Sequence, residues 1–264
     1  VARRRLDTLL ADRGLYESRS RAAAAVMAGQ VHLGAERRPA AKPGQLVTDD
    51  VAVEVEAPPP YVSRGGVKLA NALDALGIDP AQRSCLDVGA STGGFTDCLL
   101  QRGAADVTAV DVAYGELSWK LREDPRVTVL ERRNARELDA TELPRTPDLV
   151  VIDVSFISLT KVLPAVVGAL GVRFDLLALV KPQFEVGRER VGAGGVVRSA
   201  DDRRSALVEV GRFAREELGL SVLGFVSSGL PGPAGNRESF AWLAEPGRPD
   251  AVEDVGQAAR KVEP

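Results

Sequence analysis

Lys68, Asp153, Lys181 and Glu238 are the residues of this chain whose types and placement bear most directly on chemistry. Each falls at or near the end of an expected strand, Lys68 where a helix begins. Together they surround the stretch Leu86-Asp87-Val88-Gly89-Ala90-Ser91-Thr92-Gly93-Gly94-Phe95. Spread over most of the sequence, the four can meet only in a folded α/β domain, where loops at the carboxyl ends of strands converge on one crevice. A strand followed by a glycine loop suits a nucleotide-like ligand, because glycines let backbone N–H groups approach it closely. Two amines and two carboxylates beside such a loop suit the removal of a proton from a poor nucleophile. The lysines carry weight because the chain has only six Lys against 28 Arg. Arginine keeps its proton in a protein, whereas lysine in a low-dielectric, cation-rich pocket can lose it. Taken singly, each signal also has a plainer reading: tight strand–helix packing for the glycines, a helix cap for Asp153, and a snorkelling amine for Lys181.

The elements that must position these residues can be read from periodicity. An amphipathic helix is expected over residues 6–13, with Leu6, Leu9 and Leu10 on one face and Gly14 as its stop. Ser18 or Ser20 caps a second helix reaching residue 28. Short strands follow at 30–33, 44–47 and 51–56, completing a small α+β domain over residues 1–56. Ala57-Pro58-Pro59-Pro60 reads as a stiff linker, placed at 57–62. From residue 63 to 264 the pattern alternates. Strands are expected at 84–88, 106–111, 126–130, 148–153, 175–181, 220–227 and 238–243. Helices are expected at 67–76, 96–102, 117–122, 160–170 and 201–218, with a short one near 252–262. This predicts a mainly parallel seven-stranded sheet covered on both faces, with the last two strands paired as an antiparallel hairpin at the edge.

Composition narrows the function classes. The longest apolar stretch, near residues 162–172, is broken by Pro164 and is too short to span a bilayer. No signal peptide is expected, and Cys85 and Cys98 suggest neither a disulfide framework nor a metal site, so the expected setting is cytoplasmic. His32 is the single histidine, which excludes a histidine-based triad and a multi-histidine metal site. Residues 1–42 hold nine Lys/Arg against four Asp/Glu, a local charge of +5 on a chain whose net charge is −3. A basic piece on an acidic body fits an anionic polymer partner; a solvated arginine-rich helix is the simpler alternative. Arg19 and Arg21 fall in the first turn of the second helix, the unfavourable end for cations, which an external anion would explain.

Longer motifs carry a family resemblance. A single Gly89 after Asp87-Val88, followed by Gly93-Gly94, resembles motif I of S-adenosylmethionine-dependent methyltransferases, whereas the G-x-G-x-x-G of dinucleotide binders is absent. Asp111 ends the second expected strand, where an acid can accept ribose hydroxyls. The order Lys68, Asp153, Lys181, Glu238 around this motif resembles the FtsJ-like ribose 2′-O-methyltransferases. The stretches Val62-Ser63-Arg64-Gly65-Gly66-Val67-Lys68-Leu69, Asp153-Val154-Ser155-Phe156-Ile157-Ser158 and Lys181-Pro182-Gln183-Phe184-Glu185-Val186-Gly187 are similar to the TlyA family of rRNA cytidine 2′-O-methyltransferases, whose members also carry hemolysin names. Arg5-Leu6-Asp7, Arg13-Gly14-Leu15, Ser18-Arg19-Ser20 and Ala28-Gly29-Gln30-Val31 are similar to the alpha-L RNA-binding motif.

The resemblance implies a Rossmann-like S-adenosylmethionine-dependent methyltransferase domain, with Asp87, Gly89, Ser91, Thr92, Gly93, Gly94, Phe95, Asp111 and Asn134 holding the cofactor. It implies Lys181 as base, activated by burial and by nearby Lys68, with Asp153 orienting its amine and Lys68 and Glu238 holding the ribose. RNA contacts are expected from Arg3, Arg4, Arg19, Arg21, Arg64, Arg188 and Arg190, with residues 187–197 as a lid. The implied partner is rRNA within ribosomal subunits, and no metal is needed; the sequence leaves the oligomeric state open, with a monomer as the default. Three alternatives stand beside this reading. One is a membrane-active hemolysin, for which no insertion element is found. The others are a non-catalytic ribosome assembly factor and a small-molecule O-methyltransferase.

Overall fold

Leu149-Val150-Val151-Ile152 is apolar at every position, and all four side chains are fully buried. A strand covered on both faces has this character, and the computed structural model places it in the interior of the sheet. The structure describes residues 3–56 and 59–263. They fall into two compact units, Val1–Pro59 and Pro60–Pro264.

The first unit comprises β1 (Arg3–Arg5), α1 (Leu6–Asp12), α2 (Arg19–Met27), β2 (Val31–Leu33), β3 (Arg38–Pro39), β4 (Leu46–Thr48) and β5 (Val53–Val55). β1 pairs with β4, and β2 lies between β3 and β5. Leu6, Leu9 and Leu10 of α1 pack with Ala22, Ala25 and Val26 of α2. Ser18 caps α2 by accepting the Arg21 N–H at 3.2 Å. The external anion expected at this helix is replaced, for Arg19, by an internal one. Its Nε donates to buried Asp7 at 3.1 Å. Arg5 binds the same carboxylate, and the two guanidiniums hold Asp7 well below the usual carboxylate range.

The second unit contains α3 (Arg64–Leu76), β6 (Ser84–Val88), α4 (Gly94–Gln101), β7 (Asp106–Asp111), α5 (Trp119–Arg122), β8 (Val127–Glu131), β9 (Leu149–Ile152), α6 (Leu163–Gly168), β10 (Asp175–Val180), α7 (Pro182–Glu185), α8 (Ala200–Glu216), β11 (Ser221–Ser227), β12 (Ser239–Ala244) and α9 (Val255–Val262). The seven-stranded sheet has the order β11-β12-β10-β9-β6-β7-β8. From β10 to β8 all neighbours are parallel, while β12 runs antiparallel to both β10 and β11. The expected hairpin therefore forms, but β12 inserts beside β10 and only β11 is left at the edge. Period-two alternation divides the core. Val150 and Ile152 face α6, α8 and α9, whereas Leu149 and Val151 face α3, α4 and α5.

Ala57 and Pro58 of the expected linker lie outside the described residues. Tyr61 and Val62, also assigned to it, pack on the second core, and the Val62 N–H donates to Asp97 at 2.9 Å. At the amino ends of the strands Arg83 bridges Asp148 and Asp175, which ties β6, β9 and β10 in register.

At the carboxyl ends, chain order reverses between β6 and β9, the switch point where ligands bind in open α/β sheets. Gly89 follows β6 with φ +86°, and a Cβ there would lie 2.6 Å from the Asp153 carbonyl oxygen. Only glycine lets these backbones approach so closely. Asp87 points the other way. It is fully buried, and its Oδ2 accepts the Thr96 N–H at 2.9 Å and the Thr96 hydroxyl at 2.7 Å, anchoring the first turn of α4.

Two outcomes are expected. Gly89→Ala should destabilise the fold by about 2 kcal/mol or more, from left-handed backbone plus the clash with Asp153. A cost below about 0.5 kcal/mol in chemical denaturation would rule out this close approach. Burial pushes the Asp87 carboxyl up to about 7. The folded protein then binds a proton that the unfolded chain releases near pH 4, so this group's contribution to stability is full below about pH 4 and declines as pH rises to about 7. Asp87→Asn should flatten that decline in melting temperatures measured across the window; an unchanged slope would assign it elsewhere.

Candidate active site

Two adjoining cavities open at the switch point. The first, about 460 Å³, is lined by Asp111, Val112, Asn134, Ile157 and Val162, among others. The second, about 560 Å³, is lined by Lys68, Asp153, Lys181 and Glu238 together with Arg64, Thr92, Gly94 and Phe95. Gly89, Ser91, Asp153 and Ser155 belong to both. The four ionisable residues are thus brought to one cleft, and the glycine loop separates it from a pocket of ordinary ligand size.

The first pocket is built around Asp111. Its Oδ2 accepts the Ser91 N–H at 2.7 Å and its Oδ1 accepts the Ala113 N–H at 2.8 Å. A carboxylate has about four acceptor sites, so these bonds fix its orientation and leave capacity for ligand hydroxyls. Asn134 sits across the pocket, its side chain accepting the Arg136 N–H. The apolar walls and this convergent polar pair fit an adenosyl group. Three residues expected at the cofactor also have structural tasks. Asp87 is sealed beneath α4 and lines neither cavity. Gly93 is required by packing, since a Cβ there would collide with the Leu121 side chain. Gly94 lines the second cavity, yet a Cβ on it would strike Ser63 Oγ, so it too allows α4 to pack on α3.

In the second cavity the charges form two pairs. Lys68, on α3 and 7% exposed, contacts Glu238, which is 3% exposed. Lys181 Nζ lies 2.5 Å from Asp153 Oδ1. Each of the two lysines thus has its own carboxylate partner. The hydrogen bond of Lys181 goes to a residue without a role in the sequence-based expectations: Ser155 Oγ accepts it at 2.8 Å. Ser155 is visible as part of the Asp153–Ser158 motif, but a serine after a strand has many ordinary uses.

The arginines divide. Arg64 lines the second cavity and donates to the Pro231 carbonyl at 3.0 Å. Arg188 lines a third, open cleft with Arg136, Phe156, Lys161 and Phe184. Arg190 turns toward α8, donating to Ser205 Oγ at 3.2 Å near Asp202. The expected lid at 187–197 is clamped: Asn236 accepts the Val197 N–H at 2.9 Å and donates to the Gly195 carbonyl at 2.7 Å. In the first unit Arg4 pairs with Asp12 and Asp49, and Arg19 with Asp7, while Arg3 and Arg21 are exposed.

Residues 61–245 match the FtsJ-like methyltransferase family, and residues 4–49 match the S4 domain. The chain is 51% identical over 246 residues to the 16S/23S rRNA (cytidine-2′-O)-methyltransferase TlyA of Mycobacterium tuberculosis, covering 92% of this chain and 91% of that one. It is 37% identical over 238 residues to Hemolysin A of Brachyspira hyodysenteriae, covering 90% and 98% of the two chains. A solved structure of a hemolysin-named protein from Streptococcus thermophilus is similar with a TM-score of 0.73 at 39% identity, covering 98% of this chain and 95% of that one. The fold, the glycine loop beside a Lys-Asp-Lys-Glu cleft and these matches agree: the chain belongs to the FtsJ-like methyltransferase family, in the TlyA group that carries an S4 domain ahead of the methyltransferase domain.

Proposed function

We propose that the protein methylates the 2′-hydroxyl of cytidine ribose in the rRNA of ribosomal subunits, as the name of its M. tuberculosis relative states of that enzyme for 16S and 23S rRNA. The observation that carries this reading is the meeting of the two cavities at Gly89, Ser91, Asp153 and Ser155, which sets an adenosyl-sized pocket beside the paired lysines and carboxylates. When bound, S-adenosylmethionine supplies an electrophilic methyl group on a sulfonium. Asp111 and Asn134 hold its adenosine end, and the Gly89–Ser91 backbone borders its amino-acid end.

Lys181 faces the nucleophile. A ribose hydroxyl is weakly nucleophilic at neutral pH, so the Lys181 amine serves as its proton acceptor while Asp153 keeps the amine in place. The buried Lys68–Glu238 pair, lining the same cavity, offers a donor and an acceptor to the ribose, and this alignment contributes alongside proton transfer. Specificity must come from RNA shape, because every nucleotide carries a 2′-hydroxyl. Exposed Arg3 and Arg21 of the S4 domain supply phosphate contacts, joined by Arg64 and Arg188. Arg4 and Arg19, already in internal ion pairs, shape that surface. The protein acts as a cytoplasmic monomer in this reading. Hemolysin names among the relatives do not carry a second one, since among the described residues no helix is long and apolar enough to cross a membrane.

Methyl transfer from labelled S-adenosylmethionine to unmethylated 30S and 50S subunits tests the proposal. Lys181→Ala should lower the rate about 10²- to 10⁴-fold, the usual range for a lost acid–base group, with cofactor affinity within a few-fold by calorimetry. Wild-type rates in the variant would remove Lys181 from the chemistry. No transfer by a wild type that binds the cofactor would overturn the rRNA reading. Arg21→Ala should weaken subunit binding and reduce the salt dependence by about one phosphate contact. An unchanged salt slope would place the RNA elsewhere on the domain.

A further inference from the structure

Lys181 has two neighbours of different kinds. Asp153 Oδ1 lies 2.5 Å from its nitrogen in an ion-pair contact. A hydrogen bond runs from the same nitrogen to Ser155 Oγ at 2.8 Å. One contact leaves an amine free to turn about its Cε–Nζ bond, whereas a second in another direction fixes the turn. Asp153 therefore keeps the amine in the cleft, and Ser155 supplies the second contact that sets how it is turned.

From this geometry we infer that Ser155 is a positioning residue that aims the Lys181 amine at the substrate hydroxyl. The inference rests on the proposed role of Lys181 as base. In its proton-accepting form an amine carries two hydrogens and one lone pair. With one N–H directed at Ser155 and the other at Asp153, the remaining tetrahedral direction belongs to the lone pair, which receives the hydroxyl proton. Without Ser155 the amine stays beside Asp153 and loses one of the two contacts that orient it.

The surroundings hold Ser155 firmly enough for this task. The next residue, Phe156, has φ +64°, an uncommon conformation for a bulky side chain that the neighbouring structure must enforce. Glu185 supplies the brace. Its carboxylate accepts the Ser158 hydroxyl at 2.6 Å and the Leu159 N–H at 3.0 Å. This joins the loop after β9 to α7, the helix directly following Lys181. Serine and lysine are thus carried on two loops cross-linked a few residues away. Ser155 itself is exposed, so removing its hydroxyl leaves the core intact.

Steady-state methyl transfer to 30S and 50S subunits separates this role from a structural one. Ser155→Ala should lower kcat about 10- to 100-fold, the scale of a misaligned reacting group, with KM for S-adenosylmethionine and for subunits within about twofold. Its melting temperature should match the wild type. Ser155→Thr, which keeps the hydroxyl, should recover most of kcat. An alanine variant with wild-type kcat, a loss confined to KM, a lowered melting temperature, or a threonine variant as slow as alanine would each overturn the inference. Wild-type enzyme assayed in parallel distinguishes these outcomes from failure of the methyltransferase reading itself, in which the wild type too would transfer no methyl group.

Discussion

Gly89 lies so close to the Asp153 backbone that no side chain fits between them, and the site depends on this contact. The Asp153 N–H also donates to the Val88 carbonyl, closing the seam between β6 and β9. Because the order of strands reverses here, helices leave on opposite faces and a crevice opens between them. The glycine that permits the seam begins one loop and Asp153 opens the other, and the two loops together border both cavities. A single backbone approach thereby fixes the distance between the ligand pocket and the ionisable cleft. Transfer between two bound groups needs that fixed distance more than it needs any strong acid or base.

Charge pairing is the second constraint. Two lysines and two carboxylates in a sheltered cleft would be costly as isolated ions, and the fold brings them together as pairs. Lys68–Glu238 is the drier pair and joins the first helix of the domain to its last strand. β12 inserts antiparallel beside β10, so Glu238 arrives at the same end of the sheet as Lys181. The antiparallel strand thus serves the site as well as the edge of the sheet. The basic S4 unit distributes its charges differently: Asp7 gathers Arg5 and Arg19, and other arginines remain exposed.

Much of this is legible in the sequence because apolar strands ended by ionisable residues are rare without a use. Lys181 and Asp153 stand out for that reason. The pairing is not legible. Lys68 and Glu238 are 170 positions apart, and nothing local says which carboxylate meets which amine. The burial of Asp87 beneath α4 has a sequence signal: it shares strand parity with Cys85, which faces α4, and its carboxylate anchors that helix through Thr96. Gly93 and Gly94 look like ligand contacts in the sequence, and close helix packing demands glycine at both as well. Ser155 and Glu185 stand within recognisable motifs without an evident task, because hydrogen bonds between loops become visible only once both loops are placed.

The paired lysines are proposed to act on a ribose oxygen, and the position of the transferred methyl group decides whether they do. Nucleoside mass spectrometry of 30S and 50S rRNA after reaction with S-adenosylmethionine identifies the atom that receives it. The expected product is 2′-O-methylcytidine, with the added mass on the sugar. A methyl group on a base would refute the ribose 2′-oxygen as the acceptor.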